Sequence, residues 1–251
     1  MKKNKKKDID WLTKRPIAHR GYHGTDLNGI YFPENSMSSF KRALKYNYSI
    51  EFDLQLSKDK KVVVFHDSDL NRVCNVNKKI CDLTMNEISE LRLFNSDEQI
   101  PLFTDVLKEI NGNTPLVIEL KASLIPGELE KNVYEILKSY DGLFSVQSFQ
   151  PATILWFKGM GVKYPLGLIG GNEKVNLKSF ESILTEYFGY VTVVVPDYVA
   201  YQYSKYIKYK WLKYFGKLLQ IPIIVWTVKL KSEQADLKKY ADNIIFEQFE
   251  A

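Results

Sequence analysis

The sequence predicts an α/β protein built as a single TIM-type (β/α)8 barrel with a small insertion after the second strand region. Short β-rich runs alternate with amphipathic helical stretches along almost the whole chain, and such alternation implies a parallel sheet with its helices outside. About eight such runs in 251 residues suit a closed barrel better than an open doubly wound sheet. No internal repeat, low-complexity block or Gly/Ser linker divides the chain. The expected organisation is a basic N-terminal segment over 1–14 and a barrel over 15–251, with 67–100 as the insertion.

The elements follow in order. Pro16–His19 reads as the first strand and runs into a loop with Gly21, Gly24 and Gly29. Asn35 is placed to cap a helix over Ser36–Tyr46, where Met37, Phe40, Ala43 and Leu44 share one face. Ser49–Leu54 alternates as a strand, and Val62–Phe65 is a second extended run after a lysine-rich turn. Residues 67–100 are polar and irregular, with one short helix at Met85–Leu91, and look like an insertion over a site. Helices are then expected at Phe103–Ile110, Gly127–Tyr140, Thr153–Lys158, Leu177–Phe188, 201–219 and Ser232–Tyr240. They alternate with strands at Leu116–Leu120, Leu143–Val146, Tyr164–Leu168, Val191–Val195, Ile223–Val228 and Asn243–Phe246. Over 201–219, Ile207, Trp211, Tyr214, Phe215 and Leu218 make one apolar face opposite Lys210, Lys213 and Lys217. This reads as an outer barrel helix with a solvated basic face, in preference to a dock for anionic membrane. The last strand has no full helix after it, so Ile9, Trp11 and Leu12 are expected to cover its outer face.

Composition bounds the function. The apolar share of 45% suits a folded protein and argues against disorder. Five lysines in residues 2–7 equal the whole +5 net charge, and so short a run reads as a solvated tail rather than a nucleic-acid arm. No secretory h-region follows it, and no apolar run is long enough to span a bilayer, so a soluble, cytoplasmic protein is expected. Cys74 and Cys81 match no common zinc or disulfide pattern.

Reactive groups in such barrels belong at the C-terminal ends of strands, and four strand ends are unusually polar. The first ends in His19-Arg20-Gly21, and the second carries Glu51 and Asp53, two residues apart and therefore on one face. The Val62–Phe65 run ends in His66-Asp67, and the strand at 116–120 carries Glu119 beside Lys121. Glu51, Asp53 and Glu119 form an all-oxygen set suited to one hard divalent cation, Mg²⁺ or Ca²⁺, whereas zinc would recruit histidine or cysteine. Beside such a cation, two histidines and Arg20 suit cleavage of a phosphate ester, one imidazole taking a proton and the other donating one.

The same residues carry a family resemblance. His19-Arg20-Gly21, Pro33-Glu34-Asn35-Ser36, Glu51-Phe52-Asp53-Leu54-Gln55-Leu56-Ser57 and Val64-Phe65-His66-Asp67 resemble the signature of glycerophosphodiester phosphodiesterases. Ile118-Glu119-Leu120-Lys121, Ser148-Phe149 and Trp226-Thr227-Val228 continue it in order. The resemblance implies a TIM barrel whose divalent cation helps hydrolyse glycerophosphodiesters to glycerol 3-phosphate and an alcohol. It implies His19 and His66 as the acid/base pair, Glu51, Asp53 and Glu119 as metal ligands, and Arg20 and Lys121 as phosphate binders. Trp226 would be an aromatic wall for the substrate, a core role serving equally well, and Glu34 would act behind the metal ligands. The chain departs from the family at Phe246-Glu247, where many members have Thr-Asp, which bears on substrate choice at that rim. His23 reads as a solvated rim residue. Two other functions fit the same residues: a lysophospholipase-D-like activity on lipid diesters, and a phosphodiester-binding barrel without turnover. The expected partner is a small-molecule diester and not a nucleic acid, and the oligomeric state is not legible.

Overall fold

Eight parallel strands close into a ring: β1 (Ile17–Ala18), β2 (Ser49–Leu56), β3 (Leu116–Leu120), β4 (Phe144–Ser148), β5 (Leu166–Gly170), β6 (Tyr198–Gln202), β7 (Ile223–Val228) and β8 (Asn243–Phe246). The computed structural model describes residues 9–171, 190–209 and 211–251. β1 completes the ring, pairing Ile17 with Ile245 of β8 on one side and with Ser49 of β2 on the other. This is the TIM barrel that the alternation predicts.

Alternation along each strand sorts the side chains into two cores. Ile50, Phe52 and Leu54 of β2 point outward and meet Phe40 from helix Met37–Lys45 and Phe103 from helix Phe103–Ile110. Ile17, Val117, Ile169, Tyr198, Ile224 and Ile245 of the strands fill the barrel interior. Trp11 and Leu12 belong to this inner core, so the segment before β1 plugs the bottom of the barrel. The Asn243 side chain holds it there by donating to the carbonyls of Leu12 and Arg15, each at 2.6 Å. The expected outer cover of β8 is therefore corrected. Ile244 and Phe246 are covered by an aromatic group that includes Tyr48, whose ring lies 4.8 Å from that of Phe246, with Phe249 at 5.3 Å.

Two expectations along the second half of the barrel fail for physical reasons. The β-branched run expected as a strand over Val191–Val195 is helical over Tyr190–Val194, and the sixth strand is Tyr198–Gln202. Asp197 immediately precedes that strand. Its N–H donates to the Leu166 carbonyl and its carboxylate accepts from the Leu166 N–H, both at 2.8 Å. Asp242 repeats the device ahead of β8, gripping both backbone groups of Ile223 at 2.8 Å. Pairing on both sides thus outweighs local propensity. The helix expected at Leu177–Phe188 lies outside the described residues.

The helix expected over 201–219 is broken as well. Its first residues finish β6, one turn covers Tyr203–Tyr206, and the main helix is Leu212–Leu219. The buried face holds Leu212, Lys213 and Gly216, whereas Tyr214 and Leu218 are 70% and 76% exposed. Gly216 decides this orientation. A Cβ there would lie 2.9 Å from the Ile221 carbonyl oxygen and from Ile223 Cδ1, so only glycine lets the helix approach β7 this closely. Lys213, expected in solvent, is paired with Asp242.

After β2 the chain turns back. Val62–Val64 pairs antiparallel with Leu54–Leu56 and stays outside the ring. Short helices at Asn71–Cys74 and Met85–Ser89 follow, and Phe65, Leu70, Val73, Ile80, Ile88 and Ile100 pack into a third apolar cluster of their own. Among the described residues, no helix is long and apolar enough to cross a membrane.

Candidate active site

The C-terminal ends of β1, β2, β3 and β8 converge on a buried charged cluster. Asp53 and Glu119 are register partners across β2 and β3, and Glu51 lies two residues before Asp53 on the same inner face. The three carboxylates each bring an oxygen within 4.8 Å of the others. Lys121, two residues past Glu119, contacts Glu119 and reaches Asp53 Oδ1 at 2.9 Å. Arg20 donates its backbone N–H to Glu51 at 3.0 Å, and its guanidinium contacts Glu34 at 2.7 Å and Asp53 at 3.6 Å. The tight turn that aims Arg20 needs Gly21, whose φ is +81° and where a Cβ would lie 2.3 Å from Ser39 Oγ.

Burial and mutual repulsion shape the charges. Burial pushes Glu51 well above the usual carboxyl range, and the neighbouring Asp53 and Glu119 add to the rise. Burial also raises Glu119, only partly offset by Lys121. At Asp53 the burial penalty is outweighed by Lys121, His66 and Arg20, which hold it far below the usual range. Three buried carboxylates are costly unless a proton or a cation is shared among them. A hard divalent ion fits this all-oxygen donor set.

The two histidines are set by different devices. β1 delivers His19, whose Nδ1 lies 2.6 Å from Glu247 Oε2 at the end of β8. Glu247 also takes an ion pair from Lys229 at 2.9 Å. Burial lowers the His19 pKa to about 4, despite the opposing pull of Glu247. His66 is not at the end of a barrel strand as expected. It sits where the antiparallel arm returns to the mouth, with the Phe65 N–H donating to the Asp53 carbonyl at 2.9 Å. Gln55 fixes this point by donating to the carbonyls of Phe65 and Asp67 at 2.9 and 2.8 Å. His66 Nδ1 lies 2.7 Å from Asp67 Oδ1. Arg72, from the first helix of the insertion, grips both Asp67 and Glu34.

The structure thus gathers His19, Arg20, Glu51, Asp53, His66, Glu119 and Lys121 at one mouth. Trp226 stands on the inner face of β7 against Phe149, at 5.7 Å between ring centroids, and its buried indole N–H has no hydrogen-bond partner. Asn35 does not cap the helix, a role that Ser36 takes. It donates instead to Asp53 at 2.9 Å, leaving its own Oδ1 buried and unpartnered. His23 is not solvated, being 13% exposed beside Glu247. The orienting roles of Asn35, Gln55, Asp67 and Glu247 escape the sequence reading, although the first three lie inside the motifs that carry the resemblance.

A closed parallel barrel whose C-terminal mouth joins acidic, imidazole and cationic groups has the chemistry that hydrolysis of a phosphate ester requires. Residues 19–246 match the Glycerophosphoryl diester phosphodiesterase family, so the chain belongs to it and is an enzyme of that kind. The chain is 32% identical over 180 residues to the Bacillus subtilis protein named YhdW, covering 66% of this chain and 72% of that one. It is likewise 32% identical over 151 residues to human lysophospholipase D, covering 55% of this chain and 45% of the human protein. A glycerophosphodiester phosphodiesterase crystal structure from Thermotoga maritima shares 28% identity and superposes with a TM-score of 0.72 over 92% of each chain. The fold is also that of an Oleispira antarctica phosphodiesterase solved with its product sn-glycerol-3-phosphate, at 20% identity, a TM-score of 0.77 and coverage of 92% and 91%.

Proposed function

We propose that this chain hydrolyses glycerophosphodiesters to glycerol 3-phosphate and an alcohol, with His19 and His66 as the acid/base pair. Glu51, Asp53 and Glu119 would hold one divalent cation, Mg²⁺ or Ca²⁺. The observation that carries this reading is a buried carboxylate trio flanked by two histidines, each with its Nδ1 against a carboxylate. When bound, the cation neutralises phosphate oxygens.

The chain's own residues do the rest. Arg20 and Lys121 bind the phosphate, and Trp226 walls the substrate. Glu247 accepts the Nδ1–H of His19, which leaves Nε2 free to accept a proton. Its low pKa keeps that imidazole neutral at pH 7, so His19 is the base that deprotonates the attacking water as it adds to phosphorus. His66, on the more open side at 33% exposure, donates its proton to the leaving alcohol as the P–O bond breaks. The reading sets the enzyme in the cytoplasm, acting on a small-molecule diester without nucleic acid.

A second reading, a lysophospholipase-D-like activity, is favoured by the human relative that bears that name. One assay separates the two: glycerophosphocholine and lysophosphatidylcholine are each incubated with enzyme and Mg²⁺ or Ca²⁺. Glycerol 3-phosphate from the first substrate supports the main reading, and lysophosphatidic acid from the second supports the alternative. Release of neither product with either cation overturns both.

A further inference from the structure

Beside the carboxylate trio lies a second cluster with different donor chemistry. His19, His23 and Glu247 each bring a ligand atom within 4.8 Å of the others. His19 Nδ1 and His23 Nε2 lie 2.6 and 3.4 Å from the same oxygen, Glu247 Oε2. Lys229 holds the other Glu247 oxygen at 2.9 Å, so the carboxylate is fixed in place. His23 Nε2 is buried and makes no hydrogen bond, an orphaned nitrogen aimed at a carboxylate. The side chains of His19, His23 and Glu247 are only 14%, 13% and 10% exposed.

We propose that His19, His23 and Glu247 form a second metal site, for a divalent ion of the zinc class, whose occupation stops turnover. Two imidazoles and one carboxylate, with a fourth position open, are a common donor set for Zn²⁺. Hard ions such as Mg²⁺ and Ca²⁺ prefer the all-oxygen trio next door. The two sites therefore sort cations by donor type within one barrel mouth. A metal on Nδ1 of His19 leaves the ring proton on Nε2, and a ring in that state cannot accept another proton. This inhibitory half rests on the proposed role of His19, whereas the binding half does not.

The test fills the carboxylate site first, with Ca²⁺ at about 1,000 times its Kd. Co²⁺, a spectroscopic stand-in for zinc, is then titrated while its visible absorption is followed. The wild-type protein takes up one equivalent with a tetrahedral Co²⁺ spectrum. His23→Ala and His23→Gln, checked for native circular dichroism, bind it at least about 10–100-fold more weakly. No Co²⁺ uptake by the wild type, or unchanged affinity in folded His23 variants, overturns the site. In the activity arm, Zn²⁺ inhibits the wild type in excess Ca²⁺ or Mg²⁺, whereas His23→Ala keeps its activity and resists Zn²⁺. Co²⁺ uptake without any inhibition by Zn²⁺ leaves the site standing but overturns its control of turnover, and with it the role of His19 as proton acceptor.

Discussion

Trp11 is 7% exposed and packs with Leu12 in the inner core that closes the bottom of the barrel. Trp11→Ala empties that position, and the neighbouring strands, paired on both sides, cannot collapse into the gap. Truncating a buried aromatic side chain costs about 3–5 kcal/mol. In a domain of this size each kcal/mol moves the melting temperature by about 2–4 °C. The variant should therefore melt about 6–20 °C below the wild type. Tyr214→Ala is the matched control, because Tyr214 is 70% exposed and a surface truncation changes stability by about 0.5 kcal/mol or less. Far-UV circular dichroism melts of the three proteins, at one pH and one cation concentration, decide the matter. A Trp11→Ala melt within about 2 °C of the wild type refutes the plug. An equal fall for Tyr214→Ala would mean that the Leu212–Leu219 helix buries the face the sequence suggests.

Three further outcomes test the site. A cation at about 100 times its Kd should stabilise the wild type by about 2.7 kcal/mol in thermal melts; Glu51→Gln should lose this gain and, without cation, melt no lower than the wild type, because a carboxyl pushed toward neutrality is replaced by a neutral isostere. His19→Ala and His66→Ala should each lose about 10²–10⁴ in rate on the natural diester, while a nitrophenyl leaving group, which needs no proton, restores only His66→Ala; the reverse pattern would exchange the two roles. Because burial lowers His19 from 6.5 to about 4, the unfolded chain binds a proton there that the fold does not, so this contribution to stability is complete above pH 6.5 and lost as pH falls toward 4. Urea midpoints of the wild type and His19→Gln should therefore converge as the pH is lowered through that window, and a constant gap would refute the assignment.

The parallel order of the barrel is legible because strands β2, β3, β7 and β8 carry enough apolar alternation to stand out from their neighbours. β6 is not, since Val191–Val195 has the stronger β-branched signal while Tyr198–Gln202 owes its place to the Asp197 grip on β5. The face that helix Leu212–Leu219 buries is hidden for a similar reason. Helical periodicity names two faces, but a close approach at Gly216 selects between them. Within the site, His19, Arg20, Glu51, Asp53, His66, Glu119 and Lys121, all singled out from motifs, lie together at one mouth. Glu247 as the partner of His19 is not legible, because that contact joins positions 228 apart, while Asn35, Gln55 and Asp67 lie nearer their partners but take roles that only the folded mouth defines. The departure at Phe246-Glu247 also places a carboxylate 2.6 Å from His19 Nδ1.

The residues that lead to His66 divide between two clusters: Val63 and Phe65 pack with Leu70, Val73, Ile80, Ile88 and Ile100, whereas Val62 and Val64 belong to the core that surrounds the barrel ring. A small apolar cluster of this kind opens with its own free energy, below that of the whole domain. When it loosens, His66, Asp67 and the Arg72 grip on Glu34 leave together, while Glu51, Asp53 and Glu119 stay on their strands. On the roles proposed for His66 and the carboxylate trio, mild denaturant should silence the chemistry while the ring still holds a cation, and amide exchange would date the two events separately.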